Sequence, residues 1–270
     1  MRPLLRGIIM STTKQKTIAL VVLSGGQDST TCLYWAKTIY DEVHAITINY
    51  GQRHALEIEA AIKIAQMADI ASHEIVEVPG ILKSVSPLTS NSDLERYANY
   101  EEMDKIIGDR VELTFVPMRN TFFFVLAMNR AVALNADALV TGICQADNAN
   151  YPDCRESYRQ EFELMANLSL GRHADDYIEV VAPLMYYSKA ETVQLANKLP
   201  GCMEALAYSH TSYDGKYPPT DNNHANVLRA QGFLEANLPD PLVIRAVQEG
   251  LMSLPDTPNY EHLTAYVVGE

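Results

Sequence analysis

A run of seven residues at 17–23 (TIALVVL), apolar after its first position and rich in β-branched side chains, leads straight into Ser24-Gly25-Gly26-Gln27-Asp28-Ser29-Thr30. No other stretch constrains the fold as much. A strand without a polar face has to be covered on both sides, as in a parallel sheet carrying helices. The glycines let the chain turn sharply, and Cys32, Leu33, Trp35, Ala36 and Ile39 then recur at helical spacing. The same order returns along the chain. Residues 43–50 (VHAITINY) alternate as a strand, 56–67 carry a helical pattern, and 73–78 form another strand. A helical stretch at 121–134 (TFFFVLAMNRAVAL) precedes a strand at 138–141, and one at 158–170 precedes a strand at 178–182. This alternation predicts an α/β fold: a Rossmann-like parallel sheet with helices on both faces and ligands at the carboxyl ends of its strands.

With 270 residues the chain can bury a full core. The expected division is a flexible extension at 1–16, an α/β domain at 17–200, and a small helical C-terminal part at 201–270 packed on the same domain. Residues 79–113, rich in Ser, Asn, Asp, Glu and Tyr, lack periodicity and are far longer than an ordinary connection, which favours a lid. After Pro200 a Gly/Pro/Asn-rich stretch (GKYPPTDNNHAN) leads to helical patterns at 227–233 and 241–254. A net charge of −13, from 21 basic and 34 acidic residues, leaves no cationic surplus to displace counterions and excludes tight nucleic-acid binding. No apolar run reaches the roughly 18 residues needed to cross a membrane. The opening MRPLLRGIIM is followed by polar STTKQK, unlike a signal peptide. Cys32, Cys144, Cys154 and Cys202 show no Cys-x-x-Cys spacing, which fits free thiols in the cytoplasm.

The loop at 24–30 also carries chemistry. Glycines allow a ligand to approach the backbone, the N–H groups opening a helix favour an anion, and Ser24, Ser29 and Thr30 add hydroxyl donors. A plain helix cap by Asp28 or Ser29 is the simpler alternative, but Ser-Gly-Gly-x-Asp-Ser is more specific than a lone Gly-Gly turn. The loop lacks the lysine of GxxxxGK[ST].

This heptad resembles the pyrophosphate loop (PP-loop) of the ATP pyrophosphatases, whose fold is adenine nucleotide alpha hydrolase-like. They split ATP between its α- and β-phosphates and adenylate an acceptor oxygen. Five further stretches narrow the resemblance: Tyr50-Gly51-Gln52-Arg53-His54, Phe115-Val116-Pro117-Met118-Arg119-Asn120, Thr141-Gly142-Ile143-Cys144, Tyr151-Pro152-Asp153-Cys154-Arg155, and Pro183-Leu184-Met185 leading to Lys189-Ala190-Glu191-Thr192. Together with SGGQDSTTCL, and in this order, they resemble the 7-cyano-7-deazaguanine (preQ0) synthase family from residue 18 to 233.

The resemblance implies a ligase of queuosine biosynthesis that turns 7-carboxy-7-deazaguanine and ammonia into the nitrile at the expense of two ATP, with AMP and pyrophosphate released. It implies an ATP site at Leu23, Ser24, Gly25, Gly26, Gln27, Asp28, Ser29, Thr30, Thr31, Tyr50, Gly51, Arg53 and Gly142. Asp28, Lys189 and Arg119 are the implied catalytic groups, with Asp28 organising Mg²⁺ through the phosphates. Gln52, His54, Asn120, Tyr151, Asp153 and Arg155 would hold the substrate. Physically, Arg53, Arg119, Arg155 and Lys189 place four cations at strand ends of an acidic protein, which suits two anionic substrates sharing a cleft. Lys189 opens a helix, where a cation opposes the dipole, so phosphate contact competes there with a salt bridge to Glu191. Tyr151 and Asp153 suit a flat heterobicycle, by stacking and by accepting N–H groups, although a Tyr-Pro-Asp turn fits the local sequence as well. His54 reads better as a packed or capping residue than as a base. Cys144 and Cys154 read as small buried residues behind the site wall, not as nucleophiles.

One departure stands out. The family pattern implies a structural zinc held by cysteines near the C-terminus, between anchors that match Thr211-Ser212-Tyr213 and Val227-Leu228-Arg229-Ala230. The ligand positions here read Ser212, Thr220, Asn223 and Asn226, and neutral amides and hydroxyls cannot replace thiolates around Zn²⁺. No zinc is expected, nor a site built on His210 and His224. Hydrogen bonds from the Asp221, Asn222, Asn223 and Asn226 cluster, together with homodimer packing, are expected to replace it. The departure leaves open an amidotransferase that stops at the amide or uses another carboxylate, and a non-catalytic nucleotide-binding protein. A tRNA thiolase is disfavoured by net charge and by the missing Cys-x-x-Cys.

Overall fold

The computed structural model describes residues 16–51, 56–90, 92–146, 149–212 and 215–263. The expected extension lies almost wholly outside them. Five parallel strands form one sheet: β1 (Ile18–Val22), β2 (Glu42–Asn49), β3 (Ser72–Glu77), β4 (Ala138–Val140) and β5 (Glu179–Val181), in the order β3-β2-β1-β4-β5. β1 pairs with β2 from Ile18 opposite Glu42 to Val22 opposite Ile46, and with β4 from Ala19 opposite Ala138 to Val21 opposite Val140.

Alternation along β1 sends Ala19 and Val21 to one face and Leu20 to the other. On the first face α1 (Gln27–Ile39), α2 (Leu56–Ala68), α6 (Lys189–Lys198) and α7 (Cys202–Leu206) close a core containing Leu33, Ile64, Val193 and Leu206. On the second, α4 (Arg119–Ala133) and α5 (Glu156–Ser169) pack Phe124, Met128 and Phe162 over Leu20, Ile46 and Leu139. The strand order reverses direction between β1 and β4, and the crevice at their carboxyl ends is where such sheets bind ligands.

The C-terminal helices α8 (His224–Glu235) and α9 (Pro241–Gln248) are not separate from this body, since Phe233 belongs to the first core with Cys202, Ala205 and Leu206. The aperiodic stretch differs from a free lid. It contains α3 (Tyr100–Ile107), whose Met103 and Ile107, with Tyr97 before it, form a small buried cluster with Leu228 of α8. The helix is capped by Asn99, which accepts from the Glu102 N–H at 2.9 Å. Among the described residues no helix is long and apolar enough to cross a membrane.

Candidate active site

β1 delivers the chain into the loop 24–30 at the crevice, and that loop is held by its own hydroxyls. Ser29 Oγ lies 3.0 Å from Ser24 Oγ and donates to the Gly26 carbonyl at 3.2 Å; Thr30 Oγ1 donates to the same carbonyl at 2.7 Å. Thr31 Oγ1 donates to the Gln27 carbonyl at 3.0 Å. Thr30 and Thr31 are fully buried, so their hydroxyls tie the first turn of α1 together. Gly25 has φ +83°, and a Cβ there would stand 2.4 Å from the Glu57 carbonyl oxygen and 2.8 Å from the Ala61 nitrogen. Only glycine lets α2 press on the loop so closely. Gly142, after β4, lies against the start of α1, where a Cβ would meet the Ser29 nitrogen at 3.1 Å. From the other side, the His210 N–H donates to the Gly25 carbonyl at 2.8 Å.

A cavity of about 320 Å³ opens over this loop. Leu23, Ser24, Gly26, Gln27, Asp28, Ser29, Tyr50 and Gly142 line it, as do Arg119, Asn120, Tyr151, Arg155 and Lys189. Residues from six distant stretches of sequence thus meet in one chamber. Gly25, Thr30, Thr31, Gly51 and Asp153 lie outside its lining. Gln52, Arg53 and His54 lie outside the described residues.

Two opposite charges pair within the chamber. Lys189 Nζ donates to both carboxylate oxygens of Asp28, at 2.9 and 3.2 Å, joining residues 161 positions apart. The side chain of Lys189 is 13% exposed, so the ion pair is largely shielded from water and its attraction is strengthened. Glu191, the local rival for Lys189, instead forms a capping box with Ser188 at the head of α6. Arg119 opens α4 after Met118, which adopts a left-handed conformation with φ +65°, and its guanidinium donates to the Tyr50 hydroxyl. Burial raises the Tyr50 phenol above its ordinary range. Arg229, also on the wall, is fully engaged by Asp240 at 2.6 and 2.8 Å and by Ser209 at 2.7 Å.

Tyr151 stacks obliquely on Phe115 at 5.5 Å, and its hydroxyl meets Thr114 Oγ1 at 2.5 Å and Glu112 Oε2 at 3.3 Å. These contacts fix the ring, which lines the cavity. Asp153 is buried next to Asn120, whose Nδ2 donates to the Asp153 carbonyl at 3.4 Å; burial raises its carboxyl, opposed by Arg119. Cys144 and Cys154 are half-buried and line the cavity, which differs from the expected place behind the wall. Cys144 Sγ donates to the Tyr187 carbonyl at 3.2 Å.

Two features had no strong local signal. Glu57, in the first turn of α2, lines the cavity, and burial pushes its carboxyl up to about 7 against the opposing pull of Arg119. The buried Nε2 of Gln27 has no hydrogen-bond partner among the described residues. A buried donor of this kind calls for an acceptor, which water or a ligand can supply. No group of three or more His, Cys, Asp and Glu side chains suited to a metal occurs among the described residues.

The sequence itself has known relatives. Residues 18–237 match the family model described as queuosine biosynthesis protein QueC. The 7-cyano-7-deazaguanine synthase of Gloeobacter violaceus is 45% identical over 228 residues, covering 83% of this chain and 94% of the relative. That of Chromobacterium violaceum is 43% identical over 238 residues, covering 86% and 95%. Among solved structures, an NH3-dependent NAD synthetase from Campylobacter jejuni aligns at a TM-score of 0.38 and 15% identity, over 94% of this chain and 84% of that one, too remote to bear on activity. The chain belongs to the QueC family of queuosine biosynthesis proteins.

Proposed function

We propose that the protein converts 7-carboxy-7-deazaguanine and ammonia into 7-cyano-7-deazaguanine, using two ATP. One observation carries this reading: the loop, the Asp28–Lys189 pair, Arg119, Arg155 and the fixed ring of Tyr151 all open into a single cavity. That cavity suits a polyphosphate at one end and a flat carboxylate at the other. The relatives' name, 7-cyano-7-deazaguanine synthase, supports the substrate class.

A carboxylate reacts poorly with amines because its oxygens are poor leaving groups. Attack of the carboxylate oxygen on the α-phosphorus of ATP forms an acyl adenylate and expels pyrophosphate. The loop N–H groups, Gln27 Nε2 and Lys189 receive the charge moving onto pyrophosphate, the main contribution expected from a preorganised site. Mg²⁺ would be held by Asp28 and the phosphates, and would supply further neutralisation there. Ammonia then attacks the acyl carbon, AMP leaves, and the nitrogen gives up a proton. Glu57, with its carboxyl near 7, is the cavity group suited to take it. The amide oxygen attacks a second ATP and again expels pyrophosphate. Loss of AMP and of both N–H protons from the adenylated amide leaves the C≡N bond. No covalent bond to the protein forms at any step, so Cys144 and Cys154 are walls only.

Adenylation can be tested alone. With 7-carboxy-7-deazaguanine, Mg²⁺ and no ammonium, the protein is expected to catalyse exchange of labelled pyrophosphate into ATP. Lys189→Met is expected to lower that exchange by about 10²-fold or more. Exchange that ignores the acid would refute the reading.

A further inference from the structure

The positions that the family pattern assigns to zinc do not fit a metal. Ser212, Asn223 and Asn226 offer no thiolate and no imidazole, and Thr220 is exposed. Three of the four instead turn hydrogen-bond donors toward one carboxylate. Ser212 Oγ lies 2.9 and 2.8 Å from the two oxygens of Asp221, and Asn223 Nδ2 donates to Oδ2 at 2.6 Å. Asn226 Nδ2 donates to Oδ1 and, at 3.0 Å, to the Asp221 carbonyl. Arg96 adds a guanidinium at 3.3 Å from Oδ2. The Asp221 side chain is only 5% exposed. The amide of Asn226 spends its donor on this centre while its Oδ1 stays buried without a partner among the described residues.

The polarity is the reverse of a metal site. A zinc centre gathers anionic ligands around a cation, whereas here an anion gathers neutral donors and one arginine. Both cross-link the same segments. A carboxylate has about four acceptor sites, enough for these partners, and hydrogen bonds to an ionised acceptor are the stronger kind. The centre also reaches the phosphate loop. Ser212 offers its carbonyl to His210 Nε2 at 2.7 Å, and His210 in turn holds the Gly25 carbonyl through its N–H. Asn223 caps α8 by accepting from the Asn226 N–H at 3.1 Å, and the first turn of that helix, with His224 and Ala225, lines the cavity.

We propose that Asp221 is a positioning residue that performs, without a metal, the cross-linking a zinc ion performs in the family pattern: it fixes the 210–212 segment and the head of α8, and through them the phosphate loop. The link to the phosphate loop rests on reading the cavity as the ATP site; the metal-free cross-link does not.

The experiment uses the purified full-length protein. Elemental analysis is expected to find no stoichiometric zinc, and thermal melting is expected to be unmoved by EDTA. Stoichiometric zinc, or a Tm that falls with the chelator, overturns the proposal. Asp221→Asn turns a fourfold acceptor into a half-donor facing donors and is expected to lower Tm by roughly 5–10 °C. The exchange of roles in Asp221→Asn with Asn223→Asp is expected to recover part of the loss. Ser212→Ala removes one donor and remains measurable if Asp221→Asn does not fold; it is expected to lower Tm by roughly 2–5 °C. A Tm within about 1 °C of the parent for whichever variant is measured overturns the cross-link. Well below the melting range, the KM for ATP is expected to rise about three- to tenfold in the folded variant while kcat changes less. An unchanged KM overturns the positioning role. If the parent itself does not use ATP, the functional reading fails, and zinc content and melting still judge the cross-link.

Discussion

Gly232→Ala tests how the Asp28–Lys189 pair is held. Gly232 sits in α8 against the head of α6, and a Cβ added there would stand 2.5 Å from Lys189 Cγ, 3.0 Å from its Cβ and 3.2 Å from its carbonyl carbon. Ordinary contact begins near 3.4 Å. The Cγ can swing away, but the Cβ and the carbonyl carbon move only with the first turn of α6. That turn would shift by several tenths of an ångström and carry Lys189 Nζ away from oxygens it now meets at 2.9 and 3.2 Å. Helix propensity favours the alanine by about 1 kcal/mol, and overpacking opposes it by about 1–3 kcal/mol. The net loss is therefore small, about 2 kcal/mol at most, or a fall in Tm of roughly 4–8 °C. Misplacing a catalytic group by about 1 Å costs up to roughly 10²-fold. Pyrophosphate exchange by the folded variant should thus fall about ten- to a hundredfold at a temperature where it remains native. Exchange within about twofold of the parent would refute the argument that the close helix approach positions Lys189 for catalysis.

Glu57→Gln should flatten the pH profile of amide formation measured at constant free ammonia. The parent rate should rise as pH climbs through about 7, because the carboxyl accepts a proton only when ionised; a variant profile that keeps this rise would rule Glu57 out as acceptor. The same burial sets a stability trend. The folded carboxyl lies above its unfolded value of 4.5, so its stabilising contribution is complete below 4.5 and is lost as pH rises through 7. The parent should therefore lose Tm relative to Glu57→Gln between those values. Gly25→Ala, which combines φ +83° with two backbone clashes, should cost about 2–4 kcal/mol and abolish ATP binding, read by melting and by calorimetry. Replacing Cys144 and Cys154 with serine should leave nitrile formation within about threefold of the parent, since no thiol takes part; a loss of about 10³-fold would point to a nucleophile.

Much of the fold could be read from the chain because β1 and β2 are buried on both faces and their helices repeat at regular spacing. The short β4 and β5 are legible too, since each follows a long helical pattern. What escaped depends on partners far away in sequence. α3 is marked locally only by Asn99 with Glu102 and by Met103 with Ile107, and its apolar face exists for Leu228, more than a hundred residues on. The loop 24–30 announces itself, yet nothing near Lys189 says that Asp28 is its partner, or that Gly232 makes room for it. Of the Asn and Asp residues at 221–226, Asn223 caps α8 as its type leads one to expect. Their convergence on one carboxylate needs the folded approach of Ser212 and Arg96.

Nitrile formation separates the proposed reaction from one that stops at the amide. Incubation with ATP, Mg²⁺, ammonium and 7-carboxy-7-deazaguanine, followed by mass spectrometry of the deazapurine and a count of AMP, tests it most directly. The expected product is lighter than the amide by one water, with two AMP released for each molecule formed. Accumulation of the amide with a single AMP, and no further turnover when that amide is supplied as substrate, would contradict it.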